Sequence, residues 1–414
     1  MKKSLIVLLT FMLLLVGCGG KDAGNSAQPA NSEPAKSSAA PESPAKAAEA
    51  APIKIGVLLS ASGPFAGLGE EVKNGFKLYL DKNNNMLAGR KAEAIYEDSE
   101  GNPQTALRKL RKLMVEDKVN FLVSPDSSAT LYALIDEVNK NKLIMLDPIA
   151  AGNDISWDKK SDYIYRLSFS NWQGGTAGTY SAEALGKKAI VVSSDYPGGD
   201  EGLSAFRAKF EGNGGKIVKE FHPKLGTQDY ATYINQMSQI DADFVYCFLV
   251  GSDAITFLKQ FKEIGMKDKF KVISSFSFGE ITVLNAAGDA AEGAMAATPY
   301  SPWLDNQTNK DFVSAYQKAY NVLPTNQSVS GYDIAHVIET AVQKAGSLNS
   351  DELIKVLKGI SIESPRGPIT IDPETHNVIE NFYITKAVKK DNKMMLDVLK
   401  TYEKVQMPVQ APAK

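Results

Sequence analysis

Ser127 and Ser128 fall between a short apolar segment, Asn120 to Val123, and a stretch with helical spacing. Two hydroxyls in the first turn of a helix, beside free backbone amides and the positive end of the dipole, can hold an anion without any arginine. The same hydroxyls could serve only as helix caps. Other segments occupy the same kind of position, just beyond an apolar run, where open parallel sheets bind small molecules. Ser60 to Gly69 offers small residues that let a solute approach the backbone, with Phe65 and Leu68 for apolar contact. Ile149, Ala150 and Ala151 follow Asp147-Pro148 and leave room against the main chain. Ser193 to Gly199 carries Tyr196, whose ring and hydroxyl can close over a solute. Ser274 to Phe278 carries Phe276, which either lines an apolar cleft or belongs to the core.

Other chemistries lack their residues. Glycines 63, 67 and 69 have the wrong spacing for a dinucleotide fingerprint, and no Gly-Lys-Ser/Thr follows them. There is no Gly-x-Ser-x-Gly, and His222, His336 and His376 all lie far in sequence from the serine-rich strand ends. A Ser/His/Asp triad would need long-range assembly, so no enzyme is expected. Three histidines with Cys18 and Cys247 cannot build a His/Cys-rich metal site, and no calcium-loop spacing is present. No cofactor or metal is expected. Cys247 sits in the apolar run Phe244 to Val250 and reads as a buried strand residue. With 46 Lys+Arg against 48 Asp+Glu, the net charge of −2 argues against a nucleic-acid partner.

The first residues set the expected compartment. Lys2 and Lys3 precede an apolar run from Leu5 to Val16, too short to span a bilayer, which takes about 20 residues. The run fits the apolar core of a signal peptide over residues 1–17. It ends Leu15-Val16-Gly17-Cys18, resembling a bacterial lipobox in which Cys18 accepts the lipid. Residues 18–52 are rich in Ala, Pro and Ser and contain no large hydrophobe, so they read as a tether that cannot offset its ordering entropy.

From Ile53 onward, strand and helix patterns alternate. Ile53 to Leu59 is nearly all apolar, as in a strand covered on both faces. Val72, Phe76 and Tyr79 follow at helical spacing, and Pro103 suits the first turn of another helix. Strands are expected at Ala94–Tyr96, Asn120–Val123, Leu143–Leu146, Ala189–Val192, Ile217–Phe221, Asp243–Val250 and Lys271–Ser274. Helices fit between most of them. Alternation at this spacing predicts parallel sheets covered by helices. About 350 residues exceed one comfortable core, so two α/β lobes are expected.

These residues, in this order, resemble the solute-binding lipoproteins of ABC importers of the leucine/isoleucine/valine type, within the type I periplasmic binding proteins. The matching pieces are Ile53 to Val57 with Ser62-Gly63-Pro64, Glu97-Asp98-Ser99 with Asn102-Pro103, and the Ser127-Ser128 turn. Pro148, Asp195-Tyr196, Asp243 to Tyr246, Gly288 to Gly293 and Gly331-Tyr332-Asp333 complete the set. The resemblance implies two Rossmann-like lobes joined by a three-crossover hinge, closing on a solute. The expected lobes are residues 53–169 plus 298–374 and 170–297 plus 375–405, with a tail at 406–414. The crossings are expected near 168–171, 296–299 and 372–376. The resemblance further implies that the Ser127-Ser128 turn binds a carboxylate, and that Ile149, Ala150, Ala151, Trp172, Tyr196 and Phe276 contact the ligand with Phe65 and Leu68.

Implied partners are a small-molecule ligand, permease and ATPase subunits, and a membrane reached through the lipid. The protein is expected to be monomeric and to face the cell exterior or periplasm. Two departures bear on the ligand. Amino-acid binders usually carry a hydroxyl near Ala151, where this chain has alanine, and an acid just after Ser274, where this chain has none before Glu280. A hydrophobic or branched-chain amino acid is the expected solute. The alternatives are an aromatic carboxylate or small amide, or a role as a ligand-sensing module.

Overall fold

The computed structural model describes residues 51–411 apart from Pro64. The leader, Cys18, all of the tether but its last two residues, and the last three residues of the tail lie outside it. The first sheet region runs β1 (Ile53–Leu59), α1 (Ala66–Lys82), β2 (Met86–Leu87), β3 (Arg90–Asp98), α2 (Pro103–Lys112), β4 (Phe121–Val123), α3 (Ser128–Lys140), β5 (Ile144–Asp147) and β6 (Ile164–Arg166). The chain continues through α4 (Asn171–Ala182), β7 (Lys188–Ser193), α5 (Pro197–Gly212), β8 (Lys216–Phe221), α6 (Ala231–Met237), β9 (Phe244–Phe248), α7 (Ser252–Glu263), β10 (Lys271–Ser274), α8 (Ile281–Ala287) and β11 (Met295–Thr298). It ends with α9 (Gln307–Tyr320), α10 (Asn326–Ala345), α11 (Ser350–Leu357), β12 (Ser361–Ile362), β13 (Ile369–Ile371), β14 (Val378–Lys390) and β15 (Lys393–Val405).

Local chemistry accounts for the element ends. Asn102 caps α2 by accepting from the amides of Gln104 and Thr105, with Pro103 inside the first turn. Ser170 and Gln173 form a capping box at the start of α4. Every residue of β9 is buried, as a central strand covered by helices on both faces requires.

The two lobes repeat one wiring. Parallel strands lie in the order β3-β1-β4-β5-β6 in the first lobe and β8-β7-β9-β10-β11 in the second. The antiparallel β2 extends the first sheet; β14 and then β15 extend the second. In each lobe the first strand lies between the second and third, so neighbouring loops diverge at their carboxyl ends and open a crevice. Each crevice is braced by one buried aspartate. Asp126, after β4, accepts from the Ser60 amide after β1 (2.7 Å) and the Ser99 hydroxyl after β3 (2.6 Å). Asp253, after β9, accepts from the Ser194 hydroxyl after β7 (3.0 Å) and the Gly226 amide after β8 (3.1 Å).

Three passages connect the lobes. The chain leaves the first between β6 and α4 and returns between β11 and α9. The third passage runs within β14: Val378 and Ile379 pair with β13, whereas Tyr383 to Lys386 pair with β11. The 372–376 turn itself stays beside the first lobe, where the His376 carbonyl accepts from the Arg166 amide at 2.9 Å. One continuous strand serves both lobes, which moves this passage beyond the turn.

The segment Ser364–Gly367 touches all three passages. The fully buried Arg366 pairs with Asp333 of α10 (2.9 Å) and Glu380 of β14 (2.6 Å), and it donates to the Leu167 carbonyl. Asn306 donates to the Pro365 carbonyl (3.1 Å), and the Tyr383 hydroxyl donates to the Arg366 carbonyl (2.7 Å).

Helices α1 and α10 approach so closely that a Cβ on Gly331 would stand 2.1 Å from the Val72 carbonyl oxygen. Backbone cannot yield there as a flexible side chain would. Gly331→Ala should therefore cost about 1–3 kcal/mol or more, read as a lower urea midpoint.

Between the lobes, Glu71 of α1 and Glu280 at the start of α8 line one small cavity with Leu68, Tyr300, Thr325 and Gln327. Burial pushes Glu71 up to about 7, against the Thr325 hydroxyl that donates to it at 2.9 Å. Burial likewise pushes Glu280 up to about 7, helped by the charge of Glu71 and opposed by a Gln327 hydrogen bond. A carboxyl raised on folding stabilises fully below its unfolded pKa and loses that contribution as pH climbs through the folded value. The melting temperature should thus fall between about pH 5 and pH 8 by a few °C more in the wild type than in Glu280→Gln. Equal slopes in the two proteins would contradict this pairing.

Candidate functional site

The loop after β5 is held at nearly every residue. The Asp147 carboxylate accepts from the amides of Ile149 (3.0 Å) and Ala150 (2.8 Å). The Ala151 carbonyl accepts from the Asn171 amide (2.9 Å), and the Gly152 carbonyl accepts from Arg166. The Asn153 amide donates to Glu201 of α5 (3.1 Å), while its side-chain oxygen accepts from the Trp172 amide (2.9 Å). Behind the loop, Arg166 and Asp147 form a fully buried ion pair 3.8 Å apart. Burial pushes Asp147 up to about 7, opposed chiefly by the charge of Arg166.

This pinning leaves the amides of Ala151 and Gly152 with no partner among the described residues. The start of α3 faces them. A Cβ on Gly152 would lie 3.2 Å from the Ser128 hydroxyl and 2.6 Å from that of Tyr132, which places this loop close against the start of α3. Ser127 is the N-cap: its hydroxyl accepts from the Thr130 amide (3.2 Å) and also pairs with the Thr130 hydroxyl (2.9 Å). The amides of Ser128 and Ala129 are unpartnered among the described residues. Two adjacent segments therefore carry four free amides and one uncommitted hydroxyl, a donor set of the kind that suits an anion.

The remaining residues singled out from sequence divide into groups. The side chains of Ile149 and Ala150 pack into the first lobe's cores, so only their main chain borders the loop. Trp172, half-buried, meets Trp157 edge to face at 5.9 Å. In the second lobe, Tyr196 and Phe276 pack against one aromatic cluster that includes Phe206, Tyr246 and Phe248. Phe276 also meets Phe169 of the first passage at 5.0 Å and Phe248 at 5.7 Å. Tyr196 opens α5, and burial pushes its hydroxyl pKa up. Phe65 lies elsewhere, its ring against Gly101 beyond β3, and Leu68 lines the Glu71–Glu280 cavity rather than the amide donor set.

Sequence reasoning gave no specific site role to Gly152, Asn153, Asn171, Tyr132, Arg166 or Glu201. Only Asn171 carried a legible signal, through the capping box of Ser170 and Gln173. Glu201 is half-buried, and burial pushes its carboxyl up, opposed by hydrogen bonds from Asn171 and the Asn153 amide. Of the acids on either side of the aromatic segment, Asp253 braces the second crevice, and Glu280 lines the separate cavity it shares with Glu71. Among the described residues no group of three or more His, Cys, Asp or Glu side chains is arranged to hold a metal. No described helix is long and apolar enough to cross a membrane.

Comparison with known proteins agrees with this geometry. The family described as periplasmic binding protein matches residues 52–393. A Leu/Ile/Val-binding protein homolog 6 of Brucella melitensis is 30% identical over 357 residues, covering 84% of this chain and 90% of the relative. Among solved structures, a solute-binding protein of an ABC transporter from Rhodopseudomonas palustris, in complex with 3,4-dihydroxybenzoic acid, is 32% identical. It covers 86% of this chain and 98% of that one, with a TM-score of 0.79. An ABC transporter substrate-binding protein from Sphaerobacter thermophilus is 31% identical, with coverage of 86% and 99% and a TM-score of 0.82. With two lobes of matching topology, a cleft built from strand-end loops and a family match over most of its length, the chain belongs to the periplasmic binding protein family, as an extracytoplasmic solute-binding component of an ABC transporter.

Proposed function

We propose that the cleft captures an aromatic carboxylate and delivers it to the permease. The observation that carries this reading is the set of four unpartnered amides, from Ser128, Ala129, Ala151 and Gly152, beside the Ser128 hydroxyl. Such a donor set stabilises a carboxylate, and hydrogen bonds to a charged acceptor contribute about 1.5–3 kcal/mol each. The aromatic cluster around Tyr196 and Phe276 supports a ring at the other end of the solute. Two acids that could have met an ammonium are committed, Asp253 within its lobe and Glu201 to Asn153 and Asn171, and Glu280 lies in the separate cavity with Glu71. The ligand in the Rhodopseudomonas palustris relative is an aromatic carboxylate of this kind.

A hydrophobic or branched-chain amino acid is the second reading. It is favoured by the Leu/Ile/Val-binding name of the Brucella relative and by the same donor set for a carboxylate. The lipobox Leu15 to Cys18 supports an anchor through Cys18, with the following tether lifting a monomeric binding domain from the membrane. Ser128, Ala151, Trp172, Tyr196 and Phe276 are the side chains and main-chain groups assigned to the ligand; Phe65 and Leu68 are left to the rim.

Thermal-shift and calorimetric titration with 4-hydroxybenzoate, 3,4-dihydroxybenzoate, benzamide, L-leucine and L-valine tests the ligand class. A ligand at about 100 times its Kd adds about 2.7 kcal/mol of stability, a clear shift. The hydroxybenzoates should stabilise strongly and benzamide weakly. Stabilisation by leucine alone would replace the aromatic reading with the second one. Ser128→Ala should weaken the best ligand about tenfold, since about 1.4 kcal/mol is a factor of ten. For the anchor, Cys18→Ser should abolish incorporation of labelled palmitate, and undiminished labelling would contradict it.

A further inference from the structure

We infer that Glu201 is a positioning residue that latches the second lobe onto the first at the loop bearing the Ala151 and Gly152 amides. Glu201 stands on α5, the helix that Tyr196 opens. One of its carboxylate oxygens accepts from the Asn153 amide of the first lobe at 3.1 Å and from the Asn171 side chain, at the start of α4, at 2.9 Å. Among the described residues it is the one side chain from beyond α4 that bonds to the 149–153 loop.

The bonds around it close on themselves. The Asn171 amide donates to the Ala151 carbonyl, and the Trp172 amide donates to the Asn153 side chain. Asn153 and Asn171 are only 4% and 7% exposed, so both need these partners. Asn171 and Trp172 stand where α4 leaves the first passage, and Glu201 is the member of the ring that comes from α5, further into the second lobe. When α5 moves with its lobe, the Asn153 amide loses its acceptor and one end of the loop is released. The two free amides of the loop lie one and two residues away. Fixing Asn153 therefore fixes their direction, and breaking the latch is part of opening the cleft. Charge-assisted hydrogen bonds of this kind are about twice as strong as neutral ones.

The inference rests on the cleft assigned above, but its test needs no solute. Failure of the ligand panel therefore leaves it testable, and its own failure leaves the ligand class untouched. Amide hydrogen exchange is measured on the full chain for wild type, Glu201→Ala and Glu201→Gln, following Asn153 and, as a control, Ser60, whose amide is held by Asp126. In parallel, spin labels on Lys140→Cys and Lys209→Cys, one exposed site per lobe, report lobe separation in a Cys18→Ser background; Cys247 is buried and does not label. Glu201→Ala should speed exchange at Asn153 about tenfold or more while leaving Ser60 unchanged, and should broaden the label distances toward longer values. Glu201→Gln keeps an acceptor oxygen but loses the charge, and should fall between wild type and Glu201→Ala on both readouts. Unchanged exchange at Asn153 in Glu201→Ala overturns the latch. So does a Gln variant that behaves as the Ala variant, or loss of protection at Ser60 together with Asn153.

Discussion

The site depends on the buried pair of Arg166 and Asp147. Neither side chain has any exposed surface, and both bond to the main chain of the loop in front of them. Asp147 takes the amides of Ile149 and Ala150, and Arg166 takes the Gly152 carbonyl and the Asn377 side chain. The loop between them is thereby folded so that its next two amides have no internal partner. Removing one member of a buried ion pair costs about 3–5 kcal/mol, because the other charge is left uncompensated. A binding surface made of backbone is specific only if the backbone is rigid, and this pair supplies the rigidity from behind.

The same economy operates in the hinge. Arg366 sits where the three passages meet and bonds to the first and third, while its neighbour Pro365 accepts from the second. The lobes can rotate about such a hub without either sheet losing its wiring. The braces Asp126 and Asp253 keep each crevice shaped independently of the other lobe. The Glu201–Asn153 hydrogen bond and the cavity lined by Glu71 and Glu280 lie on the two facing surfaces rather than in the hinge.

The fold was legible where the apolar pattern was continuous. β1, β4, β5, β7 and β9 are apolar runs bounded by small or polar residues, and their alternation with helices implied the parallel sheets. Helix α4 escaped because its sequence, Asn171 to Ala182, is rich in glycine and small residues. Those residues are there for packing: a Cβ on Gly175 would lie 2.1 Å from the Gly202 carbonyl oxygen of α5. β15 escaped because it is an edge strand carrying exposed lysines, with little inward apolar pattern. The positions after strand ends pointed to Ser128, Ala151, Tyr196 and Phe276. Glu201 and Asn153 did not emerge, because a bond between residues far apart in sequence leaves no local signature. Ser127, a ligand hydroxyl or a cap on its sequence, stands at the N-cap and accepts from the Thr130 amide.

The most direct measurement is a crystal structure of the protein saturated with the solute that stabilises it best. The account predicts a carboxylate within hydrogen-bonding distance of the amides of Ser128, Ala129, Ala151 and Gly152, about 2.7–3.2 Å, with the apolar end against Tyr196 and Phe276. A carboxylate turned toward the aromatic cluster, or a solute seated in the Glu71–Glu280 cavity with the four amides still unpartnered, would contradict it.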